Sequence, residues 1–188
     1  MGKPLQADYR VKIEEFRDFI DDRPDWEKWE LIDGEIVLNP TPTNRHQIIV
    51  NNLLGELYAF RKGLEVTWQE MPGVGLRLPG DVHQEPEPDA MIVPKPREVA
   101  NWTSEAIVVF EVLSPFSVRR DMVHKLGFYR LIKGLTHYVV LAQDRQEATV
   151  FARSHDFSPR RVITGSINIE PLGVALALED IYRGVPLD

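Results

Sequence analysis

Cysteine is absent from this chain, which excludes disulfides, thiolate zinc sites and a cysteine nucleophile. No apolar run approaches the ~20 residues needed to cross a bilayer. The longest, such as Gly173 to Leu178, are a fraction of that, so no membrane partner is expected. A basic excess is also missing: 22 Lys and Arg stand against 29 Asp and Glu, for a net charge of -7. That balance is unlike a protein that holds nucleic acid purely by neutralising phosphates, although a local basic patch or a bound metal can offset it at one site. Met1-Gly2-Lys3-Pro4-Leu5-Gln6 has no apolar stretch of the signal-peptide kind, and Gln6 stands where a myristoylation signal needs Ser or Thr. With no cysteines, a cytoplasmic location is expected. Internal repeats, low-complexity tracts and linkers are lacking too, so residues 1–188 are expected to form a single domain.

What is present reads as alternating helices and strands. Val11 to Asp22 carries apolar residues at 13, 16, 19 and 20, a helical spacing that stops before Pro24. Trp29-Glu30-Leu31-Ile32 and Glu35-Ile36-Val37-Leu38 flank Asp33-Gly34, a strong hairpin signal. His46 to Arg61 has a helical apolar stripe of Ile49, Leu53, Leu57 and Phe60. Strands are expected at Leu64 to Gln69 and Val74 to Leu78, followed by a polar, turn-rich stretch from Pro79 to Glu87. Pro88 to Val93 and Ala106 to Leu113 read as buried strands, and Val118 to Lys133 as a helix closed by Gly134. Thr136 to Ala142, Glu147 to Ala152, Arg161 to Ile163 and Ile167 to Ile169 read as further strands, with a helical turn near Asp180. The expected class is α/β (α+β): a mixed sheet with helices packed on it.

Asp89 and Glu111 are the residues that point to chemistry. Each sits in a β-branched apolar run, Asp89 at the start of one and Glu111 near the end of the other. An ionised carboxylate leaves water at a cost of several kcal/mol unless a cation or metal meets it. Magnesium accepts one or two carboxylates with water and substrate phosphate, so Asp89, Glu111 and the Val112 carbonyl form a candidate metal site. Lys125, on the following helix, could orient the attacking water or neutralise a phosphate. The plainer alternatives are a helical Asp121–Lys125 ion pair and a half-exposed Glu111 at a strand end. His46 could be a hydrogen-bonded helix-end histidine, and Tyr129 a core residue with its hydroxyl satisfied. Asp81, His83, Glu85, Glu87 and Asp89 fall at alternate positions; the expectation for them is a solvated acidic loop. The histidines show no zinc-binding spacing.

These segments, taken in order, resemble the bacterial family of putative restriction endonucleases with the PD-(D/E)XK nuclease-like fold. The matching stretches are Trp29 to Ile36, His46, Pro88-Asp89, Glu111-Val112-Leu113-Ser114-Pro115, and Asp121, Lys125 and Tyr129. The resemblance implies a restriction endonuclease-like core of helix, three strands, helix and strand, with an added N-terminal helix and β-hairpin. It implies that Asp89 is the motif's Asp and Glu111 its (D/E), while Leu113 stands where the family's lysine would. Lys125 would take that lysine's place, and Glu30 and His46, which recur in the family pattern, would join the catalytic set. The implied activity is a magnesium-dependent (manganese possible) endonuclease acting on DNA. A homodimer is expected, since two strands need two sites. The rival expectation is a non-catalytic interaction module that retains the nuclease fold.

Overall fold

The computed structural model describes residues 9–24, 26–96, 98–113 and 118–187, with the side chains of 118–123 left aside. Ser114-Pro115, the Asp121 side chain and the segment Met1 to Gln6 therefore lie outside the described residues. The elements in chain order are α1 (Ile13–Asp21), β1 (Trp29–Ile32), β2 (Glu35–Leu38), α2 (Asn44–Arg61), β3 (Trp68–Met71), β4 (Gly75–Leu76), β5 (Ala90–Pro94) and β6 (Trp102–Thr103). There follow β7 (Val108–Leu113), α3 (Val118–Tyr129), β8 (His137–Ala142), β9 (Ala148–Ala152), β10 (Pro159–Val162), β11 (Ser166–Ile169), β12 (Val174–Ala177) and α4 (Leu178–Ile181).

Six strands form the central sheet in the order β10-β9-β8-β7-β5-β3. Only β7 and β8 run parallel in it, and the other neighbours are antiparallel. A parallel pair needs a crossover, and α3 supplies it. The sheet is covered on both faces, which explains why β5 and β7 read as continuous apolar runs. On β7, Val108, Phe110 and Val112 face a cluster that includes Ile49, Leu53 and Leu57 of α2. Val109 and Leu113 face the other way, toward Phe128 and Tyr129 of α3. Glu111 shares their side by the two-residue period of a strand.

The expected core of helix, three strands, helix and strand is present as α2, β3, β5, β7, α3 and β8. The N-terminal helix and hairpin are present as well. Asp33 and Gly34 both take positive φ, 52° and 81°, as a type I′ turn requires. Several boundaries differ from expectation. The strand expected at Leu64 to Gln69 runs instead from Trp68 to Met71, and the one expected at Val74 to Leu78 shortens to Gly75–Leu76. The helix expected to reach Lys133 ends at Tyr129, where Leu131 and Ile132 begin a turn onto Leu135. The β11–β12 hairpin adds a strand, Val174–Ala177, that its short apolar run did not reveal.

Candidate active site

The hairpin places the first half of the site. Leu31 pairs with Glu85, each amide donating to the other's carbonyl, so β1 lies along the segment that leads into β5. Lys28 and Glu30 are two apart in extended chain and share a side. That side meets the start of β5. Glu30 Oε1 accepts from Glu87 N at 2.7 Å, and Lys28 Nζ lies 3.0 Å from Asp89 Oδ1.

The second half comes from β7 and the two helices. Ala90 pairs with Phe110, so β5 begins just as β7 approaches its end. Past that point Val112 N donates to Asp89 Oδ2 at 2.8 Å instead of to a strand partner. A strand residue's N–H and C=O point to the same edge, so the Val112 carbonyl projects beside Asp89. His46, in the first turn of α2, brings Nε2 to 3.1 Å from Asp89 Oδ2. Thr43 caps that turn, its hydroxyl accepting from His46 N. From α3, Lys125 Nζ donates to Glu111 Oε1 and Glu30 Oε1, both at 3.0 Å. The Tyr129 hydroxyl donates to Glu111 Oε1 at 2.8 Å.

All five expected catalytic side chains (Glu30, His46, Asp89, Glu111 and Lys125) therefore line one cavity of about 330 Å³, with Val112. Lys125 is buried between two acids, and Tyr129 is a core residue whose hydroxyl is satisfied by Glu111. Lys28, Asn39 and Gln143 also line the cavity; the sequence reading passed over them. The two-residue interval between Lys28 and Glu30 was the available signal.

One expectation is overturned. The alternate-position cluster is not a solvated acidic loop. Glu85 is buried and paired with Arg17 and Arg77, because the Leu31 bridge draws its backbone under the hairpin. The His83 Nδ1–H donates to the Val11 carbonyl at 2.8 Å.

Burial and charge separate the two acids, Glu111 within β7 and Asp89 in the bend just before β5, which begins at Ala90 rather than at the expected Pro88. Burial pushes Asp89 upward, but the His46 hydrogen bond, the Lys28 charge and the Val112 N–H outweigh it and hold this carboxyl well below the usual range. Burial dominates at Glu111, and with repulsion from Asp89 and Glu30 it prevails over Lys125, pushing the carboxyl up to about 7. Burial also opposes ionisation of Glu30, yet Lys125, Lys28, Asn39 and the Glu87 N–H leave it lowered. Two neighbouring carboxyl groups at one cavity are thus held at different affinities for a proton.

The donor set fits a hard divalent cation. Three carboxyl groups, of Glu30, Asp89 and Glu111, face two ammonium groups. Among the described residues both hydrogen bonds to Glu111 use Oε1. No cluster of three or more His, Cys, Asp or Glu side chains able to hold a metal ion occurs among the described residues.

The order of helices and strands in the core, with the site where β5 and β7 part, defines a protein of the restriction-endonuclease-like class. The model of the Uma2 family, described as putative restriction endonuclease, matches residues 13–183, and the chain belongs to that family. Among solved structures, a putative nuclease of the DUF820 group from Anabaena variabilis superposes with a TM-score of 0.74 at 17% identity. The match covers 92% of this chain and 97% of that one. No functionally curated protein matches the chain. No helix among the described residues is long and apolar enough to cross a membrane.

Proposed function

We propose that this protein is a metal-dependent endonuclease that hydrolyses phosphodiester bonds in DNA. The observation that carries the reading is the convergence of Asp89, just before β5, and Glu111, within β7, on one open cavity with Lys125 between Glu111 and Glu30. Asp89, Glu111 and the Val112 carbonyl would hold magnesium, or manganese in its place. When bound, that ion lowers the pKa of a coordinated water and stabilises charge developing on phosphorus.

The protein's own groups set up the rest. Glu30 has each oxygen engaged, by Lys125, Glu87 N and Asn39, and so serves as a positioning residue for Lys125. Lys125 Nζ has three protons, two committed to Glu30 and Glu111, which leaves one for a water or a phosphate oxygen. His46 holds Asp89 Oδ2 from the side opposite the hairpin and keeps the carboxylate oriented. Pro40, Pro42, Thr43, Pro72 and Gly73 line the same cavity, in which a backbone phosphate would be held.

The test is calorimetric titration of magnesium and manganese into the wild type and Asp89→Ala, alongside cleavage of plasmid DNA with each metal. Binding and cleavage that both vanish in Asp89→Ala are expected; intact DNA under every metal condition would sink the assignment. Cutting both strands with one site per chain calls for a homodimer, to be checked by sedimentation with and without DNA.

One observation favours a second reading. Both oxygens of Asp89 are already occupied by donors, as they would be in a nuclease fold retained purely as an interaction module. Absence of metal binding in the same titration would select that reading.

A further inference from the structure

Asp89 faces a conflict that Glu111 does not. Its two oxygens receive three donors: Lys28 Nζ on Oδ1 at 3.0 Å, and His46 Nε2 and Val112 N on Oδ2 at 3.1 and 2.8 Å. A divalent ion binds a carboxylate oxygen at about 2.1 Å if it is magnesium. An ammonium on the same oxygen would then stand within a few ångströms of a doubly charged ion, in a cavity where water screens poorly. Repulsion between the two cations then favours loss of the donor that is least firmly held.

The three donors differ in what holds them. Val112 N belongs to the backbone of β7, fixed by its ladder to β8. His46 is anchored in the capped first turn of α2, and its ring is largely buried, with Nδ1 lacking a partner among the described residues. Lys28 precedes β1, carries its charge on a flexible four-carbon stem, and keeps 30% of its side chain exposed. It also lines the cavity that substrate would enter. Lys125 is no substitute, because it is buried and bound to both Glu30 and Glu111.

We propose that Lys28 is the resident counter-cation of Asp89, displaced by the divalent ion and then free to meet a phosphate oxygen of the substrate. This inference rests on the metal-dependent reading above. In the metal-free protein Lys28 prevents an uncompensated buried carboxylate. In the loaded protein it is a mobile positive charge at the mouth of an otherwise acidic cavity. The ammonium and the metal therefore compete for one oxygen, so removing the lysine charge strengthens metal binding while weakening cleavage. A lysine that merely braced the site would do the opposite to metal affinity.

The experiment is calorimetric titration of magnesium alone, and of manganese alone, into the full-length wild type, Lys28→Gln and Lys28→Arg. Lys28→Gln should bind about tenfold more tightly, the order expected when one charge is removed from contact with the ligand. Lys28→Arg, which keeps the charge on a fork that grips a carboxylate more firmly, should bind no more tightly than the wild type. Cleavage of DNA by Lys28→Gln at saturating metal should fall. Equal or weaker metal affinity in Lys28→Gln overturns the inference and leaves the metal-dependent reading standing. No binding to wild type or variant overturns that reading and this inference with it. Should Lys28→Gln fail to fold, nitrogen-detected NMR of lysine ammonium groups in the wild type decides. The Lys28 signal should lose its ion-pair protection as magnesium is added while the Lys125 signal persists, and a Lys28 signal unmoved by bound metal overturns the proposal.

Discussion

Two clusters of buried acid lie within a few residues of each other in sequence and differ in almost every other respect. Glu85 is buried and gripped by Arg77 Nε at 2.6 Å and by the Arg17 guanidinium, with Gly75 pressed so close that a Cβ there would lie 2.7 Å from Glu85 Oε1. Asp89, four residues on, is met by a lysine and a histidine and borders a cavity of about 330 Å³. Arginine presents a rigid fork that saturates a carboxylate, whereas lysine is a point charge on a flexible stem that can be exchanged for another cation. Burial of a carboxylate therefore does not identify a functional site. The kind of cation beside it, and the volume in front of it, are what set Asp89 apart from Glu85.

The sharpest way to break this comparison is to exchange the roles by mutation. Asp89→Ala or Glu111→Gln should reduce DNA cleavage on the order of a thousandfold, since the metal's contribution to the transition state is several kcal/mol. Glu85→Gln should leave cleavage per folded molecule within a few-fold of wild type. Plasmid nicking rates measured at saturating magnesium check both. A folded Glu85→Gln protein that cannot cut DNA would erase the distinction.

Stability should reverse the ranking. Glu85→Ala leaves Arg17 and Arg77 facing each other without their acid. Loss of one partner from a buried pair costs about 3–5 kcal/mol. The arginines retain 22% and 19% exposure, which moves the expectation to the lower end, roughly 3 kcal/mol. Urea unfolding without metal, with the slope held constant, reads this difference. A Glu85→Ala midpoint equal to that of wild type would show the arginine clamp to be dispensable.

Metal addition separates the clusters by a smaller amount. Magnesium at 100 times its dissociation constant should stabilise the wild type by about 2.7 kcal/mol, a shift reversed by a chelator. The same increment should persist in Glu85→Ala and disappear in Asp89→Ala. Thermal denaturation with and without magnesium measures all three, and a Glu85→Ala protein blind to the metal would tie the two clusters into one unit.

The difference between the clusters also marks how far sequence could lead. β5 and β7 were legible because both are apolar on both faces, and an acid inside such a run (Glu111) or at its edge (Asp89) stands out. The Asp33-Gly34 turn was legible because only a few residue types accept two positive φ angles in succession. The burial of Glu85 was not, since it depends on the Leu31–Glu85 bridge, which joins residues 54 positions apart, and on Arg17 reaching across from α1. Lys125 illustrates the same limit. Its spacing suggested Asp121, whose side chain lies outside the described residues; its contacts among the described ones are Glu30 and Glu111, 95 and 14 residues away. Local periodicity indicates which face a side chain takes; it does not indicate which distant strand will cover that face.

Tyr129 belongs to both worlds and gives the finest test of where one ends. Its ring packs edge-on against Tyr138 at 4.9 Å, within the cluster beneath α3, while its hydroxyl reaches Glu111 Oε1. Tyr129→Phe keeps the ring and deletes one hydrogen bond to a buried carboxyl. Such a bond to a charged group contributes about 1.5–3 kcal/mol. Glu111 keeps Lys125 on the same oxygen and is pushed up to about 7, so part of its population is already neutral and the lower figure is expected. Metal affinity should weaken by no more than a few-fold, because Lys125 still holds Glu111 Oε1 once the hydroxyl is gone. Urea unfolding and magnesium calorimetry on the one variant measure both effects. Should Tyr129→Phe keep its stability yet lose cleavage, the hydroxyl acts in the chemistry itself, and the boundary of the site moves one helical turn further along α3.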